Sequence, residues 1–309
     1  MRLLNFFKCL FRHRPTKVFP ENTKEIFYWE GGPVDTYHWW PMKECLHTSL
    51  ENNLYSKGGG LSKYDYLFCG KAVEYQRTHH FRAMASNESD SNWAGFCDSA
   101  TILSCTRKYP QNAVRINYNN KDVLFSVKDI ESLMIIASYN SIINCKSCLF
   151  GNRNNGRQYC DPDEPRPIEF LKMIKKICSD KIPFALDISK GTAVWNYSYN
   201  KVIVKSSNNP PNEFKNKIRN LSDKNNTYYN FIITSDAYPL KNLNIWGWVS
   251  LDNQTSGWLS EEHPDFIWKQ YPRETCWDGM CEINPEVSAK TVFEIYNASI
   301  SGRKYLKIL

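Results

Sequence analysis

The chain has 309 residues, of which 42% are hydrophobic and 23% charged, and its formal net charge is +7. This composition is typical of a globular protein with one large domain or two of medium size, and it excludes collagen, coiled-coil, low-complexity and wholly disordered chains. The basic residues are spread along the chain, the densest short stretch being Arg12-His13-Arg14. A nucleic-acid partner is therefore not expected, because such proteins concentrate positive charge on one face.

Residues 1–35 are predicted to be a leader that is partly disordered, and residues 36–309 to form the folded domain. The apolar run at the amino terminus is interrupted by Asn5 and Lys8, and no small-residue cleavage site follows it. The leader can be read as a disordered or surface-packed segment, or as a short basic amphipathic segment for a membrane surface or for export. No stretch is long enough to predict a membrane-spanning helix.

Taken in chain order, the sequence predicts a mixture of helices and strands. A short helix is expected up to residue 52, a break at Gly58-Gly59-Gly60, and a helix that begins at or near Cys97. The later elements are a hairpin from 114–116 and 123–127 around a polar turn at 117–122, a helix over 130–137 capped by Asp129, a helix over 169–179, and strands over 184–188, 194–204, 228–234, 245–251 and 266–268. A helix that carries a cysteine and is followed by strands indicates an α+β fold.

Cys97 is the candidate nucleophile, because a thiol at a helix amino terminus has its thiolate stabilised by unpaired N–H groups and by the helix dipole. A nucleophilic thiol also needs a base, and the chain has six histidines. His263 is the one that follows Cys97 in the chain, so a cysteine-then-histidine order leaves it as the candidate. The alternative is a structural thiol and an unrelated surface histidine.

Eleven cysteines leave at least one thiol unpaired in a monomer. Four of them suggest part of a zinc site, namely Cys145, Cys148, Cys160 and Cys178. Structural zinc sites are usually built from two close pairs, and here the second pair is missing. Buried or paired thiols are the alternative, and no other cofactor is predicted.

Several stretches stand in a recognisable order: Trp40-Pro41, LSKYD at 61–65, WAGFCDSA at 93–100, VLFSVKDIESL at 123–133, Gly156-Arg157 through Pro165, FALD at 184–187, AVWN at 193–196 and GWLSEEHPDFIW at 257–268. Together they resemble, over residues 37–272, the transglutaminase elicitor family of oomycetes and its bacterial relatives. The resemblance implies an α+β papain-like fold, in which the catalytic helix packs on an antiparallel sheet. It also implies that Cys97 forms a thioester with a glutamine side chain.

The chain departs from the family at three positions near these motifs. Glu169 stands where the family has a histidine at a helix start, Asp98 where a histidine follows the cysteine, and Tyr197-Ser198 where Gln-Pro follows V-W-N. The catalytic base is therefore His263, or Glu169, or the site is altered. A carboxylate with an ordinary pKa of about 4.3 is a poor base unless it is buried.

The remaining site residues are predicted around Cys97 and His263. Asp265, Asp187 or Asp252 would orient His263. Trp93, Trp195 and Asn196 are placed at the oxyanion site or the substrate channel, and Trp246, Trp248 and Trp258 could supply further channel walls or belong to the core.

The predicted function is a cysteine-dependent transglutaminase or glutamine deamidase, in which a lysine amine or water resolves the thioester. Its partners would be a protein with a reactive glutamine and an amine or lysine acceptor. A cysteine protease or amidase is the alternative within catalysis, and a catalytically silent interaction protein or elicitor on the same scaffold is the alternative of another class. We expect an exported effector or toxin, without a recognisable secretory signal, that folds in a reducing compartment.

Overall fold

The computed structural model describes residues 20, 22–40, 54–83, 95–144, 148–151, 164–188, 195–218, 226–236, 242–269 and 284–308. In chain order the elements are β1 (Lys24–Glu30), α1 (Gly60–Phe68), α2 (Ala72–Ala83), α3 (Cys97–Thr106), β2 (Val114–Tyr118), β3 (Lys121–Phe125), α4 (Val127–Asn144), β4 (Cys148–Gly151), α5 (Pro167–Ile177), β5 (Phe184–Asp187), β6 (Asn196–Tyr199), β7 (Lys201–Ser207), a 3-10 turn (Asn212–Phe214), α6 (Lys215–Ile218), β8 (Asn226–Thr234), β9 (Leu243–Ser250), β10 (Ser256–Trp258), β11 (Phe266–Lys269), α7 (Ala289–Ile300) and β12 (Tyr305–Lys307). The predicted α+β class is confirmed. The helix predicted up to residue 52 lies outside the described residues.

The strands form three sheets. A five-stranded antiparallel sheet has the order β1-β7-β8-β9-β10, and a four-stranded antiparallel sheet has the order β4-β11-β5-β6. In the third sheet, of order β12-β2-β3, β12 pairs parallel to β2. Part of the predicted leader is therefore ordered, because β1 pairs with β7 from Lys24 to Glu30. Within the described residues, no helix is long and apolar enough to cross a membrane.

Two hydrophobic clusters make up most of the core. One surrounds α1, α3, α4 and α7 with β2 and β3, and includes Phe96, Phe125 and Leu133. The other lies between α5 and the two antiparallel sheets, and includes Phe170 and Phe231. Helix α3 contacts α4 and also β5 and β6, so the cysteine-bearing helix packs against the four-stranded antiparallel sheet.

The hairpin turn and the start of α4 differ from their predicted positions. The hairpin turn is shorter than the predicted 117–122, because Asn119 and Asn120 both adopt left-handed conformations (φ 47° and 61°) that close it in two residues. Helix α4 begins before its predicted start, because Ser126 and Asp129 exchange hydrogen bonds: the Ser126 N–H donates to Asp129 Oδ2 at 2.7 Å, and the Asp129 N–H donates to Ser126 Oγ at 3.2 Å. Asp129 therefore lies inside the first turn.

The strand predicted over 194–204 is two strands that belong to different sheets. They are separated at Asn200, whose N–H donates to the carbonyl of Thr234 and whose Nδ2 donates to the carbonyl of Gly32 at 3.2 Å. Asn196 to Tyr199 pairs with β5, whereas Lys201 to Ser207 pairs with β1 and β8. The break places β6 against α3, which positions the candidate site.

Candidate active site

Cys97 is the first residue of α3, as predicted. The N–H of the preceding Phe96 donates to the carbonyl of Trp40 at 2.9 Å. A Cβ on Gly95 would lie 1.8 Å from an atom of the Trp39 ring, so the chain can pass this indole only as glycine. The start of α3 is therefore held directly against the Trp39-Trp40 segment.

A cavity of about 410 Å³ lies beside Cys97. Its walls come from the segment before Trp40, from α3, from the first turns of α4 and from β6. The rings of Trp39 and Trp195 meet edge to face, with centroids 5.9 Å apart. Lys128 and Glu131 contribute an ion pair of 3.0 Å to the same lining. The cavity therefore offers aromatic walls, a thiol and a small charged region.

Asn196 lies next to the thiol and has a fixed amide orientation. Its Nδ2 is 3.8 Å from Cys97 Sγ, and Trp268 Nε1 donates to its Oδ1 at 2.8 Å. Because an indole N–H can only donate, it holds the amide oxygen on its own side and leaves the NH₂ group facing the sulfur. Thr101 Oγ1 donates to the carbonyls of both Cys97 and Asn196, at 2.7 and 3.1 Å, and so joins α3 to β6 at this point.

The electrostatic surroundings favour the neutral thiol. The pKa of Cys97 is raised to about 11, chiefly by burial and also by the neighbouring Asp98, while the hydrogen bonds from Asn196 act in the opposite direction. Burial also raises the pKa of Asp98 to about 6. Near neutral pH, Cys97 is therefore a thiol, and it needs a proton acceptor to act as a nucleophile.

The structure does not bring His263 into the lining of this cavity. Its Nε2 lies 2.9 Å from Glu164 Oε2, and its Nδ1 lies 3.1 Å from the carbonyl oxygen of Glu261. The ring also stacks on Trp258, with centroids 5.9 Å apart. Both ring nitrogens thus have hydrogen-bond partners that lie outside the cavity lining.

The four carboxylates proposed for the site have different surroundings. Glu169 lies in the first turn of α5, where its carboxylate accepts from the Arg166 N–H at 2.9 Å and from the Arg166 guanidinium at 2.6 Å; these hydrogen bonds lower the pKa of Glu169. Asp187 is buried and accepts from the Trp195 N–H at 3.0 Å, so it holds the start of the cavity wall. Asp265 is buried next to it, and its N–H donates to the Asp187 carbonyl at 2.9 Å. Asp252 lies in the turn between β9 and β10.

Of the tryptophans suggested as channel walls, Trp195 lines the cavity beside Asn196. Trp246 and Trp248 pack with Tyr228 on the five-stranded sheet, and Trp258 packs with the α5 cluster. These three are core residues of another region. Trp93 lies outside the described residues.

His38 also lines the cavity. It was not a predicted site residue, since it comes before Cys97 in the chain. Its backbone N–H donates to the fully buried Glu131 at 2.6 Å, and its ring meets Trp40 edge to face at 5.2 Å. Burial lowers the pKa of His38, which favours the neutral imidazole. Within the described part of the chain, its Nε2 is buried with no hydrogen-bond partner. The feature of the sequence that could have identified His38 is its position directly before Trp39-Trp40.

Of the four predicted zinc ligands, the structure describes the side chain of Cys178 and not those of the other three. Cys178 is a buried free thiol at the end of α5. Cys145, Cys160 and the side chain of Cys148 lie outside the described part. Within the described ranges, no group of three or more histidine, cysteine or acidic side chains could hold a metal ion.

Comparisons with protein-family models, with curated proteins and with solved structures each found no match. The geometry around Cys97 is thus the main structural basis for a functional proposal.

Proposed function

We propose that the chain is a cysteine-dependent protein-glutamine acyltransferase, a transglutaminase or glutamine deamidase on a papain-like scaffold, with Cys97 as the nucleophile. The observation that carries the proposal is the Cys97 thiol at the start of α3, on the wall of an aromatic cavity and 3.8 Å from the Asn196 amide nitrogen. The ordered resemblance to the transglutaminase elicitor family supports it independently. By the same resemblance, we propose an exported effector or toxin that acts on another organism's proteins.

In this reaction, Cys97 Sγ attacks the carbon of a glutamine carboxamide. An S–C bond forms, the C–N bond breaks, and ammonia leaves with the thiol proton. A lysine amine then displaces the thiol to give an isopeptide, or water does so to give glutamate. Asn196 Nδ2 would donate a hydrogen bond to the oxyanion, since Trp268 already fixes its direction.

We assign the proton transfer to His38 rather than to His263. His38 lines the same cavity as Cys97, and burial lowers its pKa and so favours the neutral imidazole, which can accept a proton. His263 instead has hydrogen-bond partners at both of its nitrogens. Glu169 serves as a cap of α5 and is not in the cavity lining.

A second candidate is a catalytically silent binding protein on the same scaffold. It is favoured by the raised pKa of Cys97, about 11, and by the Asn196 amide that lies beside the sulfur. In this case the cavity would bind a ligand without forming a thioester.

The test measures ammonia release and amine incorporation with a glutamine-containing peptide. We expect the wild-type chain to give at least one of these two products. Cys97→Ser should give neither, and in His38→Ala the rate of product formation should fall roughly a hundredfold. His263→Ala is expected to retain activity. Cys105→Ser is the matched control, because Cys105 is a partly buried thiol on the same helix that does not line the cavity.

If the folded wild-type chain shows neither product across the neutral and mildly alkaline range, the silent binding protein is the better conclusion. If His263→Ala rather than His38→Ala removes activity, the acyltransferase proposal stands and the assignment of the base is wrong.

A further inference from the structure

Cys69 and Lys121 form a thiol–amine pair that is not part of the cavity lined by Cys97. Cys69 ends α1 in a left-handed conformation (φ 58°), and its side chain is exposed. Lys121 is the first residue of β3, and its Nζ lies 3.0 Å from Cys69 Sγ. The pair thus joins the end of a helix to the start of a strand.

The position of the amine is fixed by groups other than the thiol. Lys121 Nζ donates to the carbonyl of Tyr66 at 2.6 Å and lies 5.1 Å from the centroid of the Tyr66 ring. These contacts hold the nitrogen next to the sulfur at little additional cost in side-chain entropy. An oxidised form of the Cys69 sulfur would therefore react with the Lys121 amine before it reacts with a molecule from solution.

The other described thiols differ from Cys69 in access. Cys178 is buried, Cys105 is partly buried between α3, β5 and β11, and Cys97 is partly buried in its cavity. Among the thiols that the structure describes, Cys69 is therefore the most accessible to a dissolved oxidant. Exposed cysteines next to a group that can capture the oxidised sulfur are typical sites of reversible oxidation.

We propose that Cys69 and Lys121 form a reversible covalent cross-link when the protein meets a peroxide. Hydrogen peroxide oxidises the thiol to a sulfenic acid and is itself reduced, releasing one water. Lys121 Nζ, after it has lost a proton to solvent, attacks the sulfur; an S–N bond forms, and the S–O bond breaks as a second water leaves. The product is a sulfenamide, which a dithiol reduces back to the thiol and amine. This modification site is independent of the function proposed for Cys97.

The experiment treats the full chain with a small excess of hydrogen peroxide and digests it with a protease that cleaves after acidic residues. We expect a linked pair of peptides, containing Cys69 and Lys121, with a mass about 2 Da below the sum of the two reduced peptides. The link should disappear on treatment with dithiothreitol. It should not form in Lys121→Arg or Cys69→Ser, and both variants should fold because they make conservative changes at a partly buried lysine and an exposed cysteine.

A second readout traps sulfenic acid on Cys69 with dimedone. We expect little trapping in the wild-type chain and strong trapping in Lys121→Arg, because arginine keeps the positive charge but lacks the nucleophilic amine. Equal trapping in the two proteins, with no linked peptides, would overturn the proposal. A linked pair about 14 Da above the reduced sum would place an oxygen between sulfur and nitrogen and would refute the direct S–N bond.

Discussion

At the scale of single residues, two neighbouring groups in α3 act against each other. Asp98 follows Cys97 in the first turn, and burial raises the pKa of both side chains. A carboxylate at a helix amino terminus is normally favourable because of the dipole. Here burial outweighs that effect, so the charged form of Asp98 is less stable in the folded chain than in the unfolded one.

Asp98→Asn is therefore expected to stabilise the fold in a pH-dependent way. Because the folded pKa is raised from 3.8 to about 6, the folded chain retains a proton that the unfolded chain has lost between these values. Wild-type stability thus falls as pH rises through this window. The variant should match wild type at acidic pH and be more stable above about pH 6, as measured by urea unfolding at several pH values.

The same variant also tests the electrostatics of the thiol. In the wild-type chain, the Ser99 N–H donates to Asp98 Oδ1 at 2.8 Å. Asparagine keeps an oxygen that can accept this hydrogen bond, so the start of the helix should be preserved. The negative charge that raises the pKa of Cys97 is removed, and iodoacetamide should alkylate Cys97 faster under mildly alkaline conditions. An unchanged alkylation rate, or a variant less stable than wild type at neutral pH, would contradict this account.

At the scale of elements, the first turn of α5 explains the position of Glu169. Pro167 is well suited to the first turn of a helix, and Glu169 accepts from both the backbone and the guanidinium of Arg166. The carboxylate is about one-third exposed, so its ion pair contributes little and its main effect is to cap the helix.

Glu169→Ala is expected to lower the free energy of unfolding by about 0.5–2 kcal/mol, as loss of a cap does. Acyl transfer per folded molecule should be unchanged. Glu169→Gln is the matched control, since it keeps an oxygen for the Arg166 N–H and should recover most of the stability. A large loss of activity in a stable Glu169→Gln protein would instead identify Glu169 as the catalytic base.

Local signals made some elements predictable from the sequence. The start of α3 follows from nearby residues, as does the hairpin of β2 and β3, whereas α5 begins at Pro167, two residues before its predicted start. The division between β6 and β7 was not predictable, because it depends on distant partners of Asn200, among them Thr234 and Gly32. The candidate site shows the same limit: Cys97 could be selected from its sequence context, whereas the contact of His38 with Glu131 joins residues 93 positions apart.

At the scale of the whole molecule, β11 contributes to two packing regions: Ile267 belongs to the cluster around α5, whereas Trp268 packs with Ile102 of α3 and Ala185 of β5. This strand lies in the middle of the four-stranded sheet, between β4 and β5, and Trp268 on it holds Asn196 at the candidate site. The next residue, Lys269, has a fully buried side chain. Its Nζ donates to the carbonyl of Ile177, the last residue of α5, and to Asp180 Oδ1 at 2.6 Å.

The buried ammonium of Lys269 thus ties α5 to the sheet that carries the site. Lys269→Met keeps most of the apolar length of the side chain but leaves the Ile177 carbonyl without its cation. We expect a loss of about 1–3 kcal/mol in the free energy of unfolding, the cost of leaving a buried acceptor unsatisfied. Urea unfolding of the full chain measures it, with an unchanged dependence on urea concentration.

Asp180→Asn is the matched control, because Asp180 is 34% exposed and water can replace part of its interaction. Asp180→Asn should lower the free energy of unfolding by less than Lys269→Met does. If Lys269→Met is instead as stable as wild type, the ammonium is replaceable by an apolar chain, as in other buried ion pairs. In that case, the attachment of α5 to β11 depends on the packing of Phe170 and Ile267 in their shared cluster rather than on the buried charge.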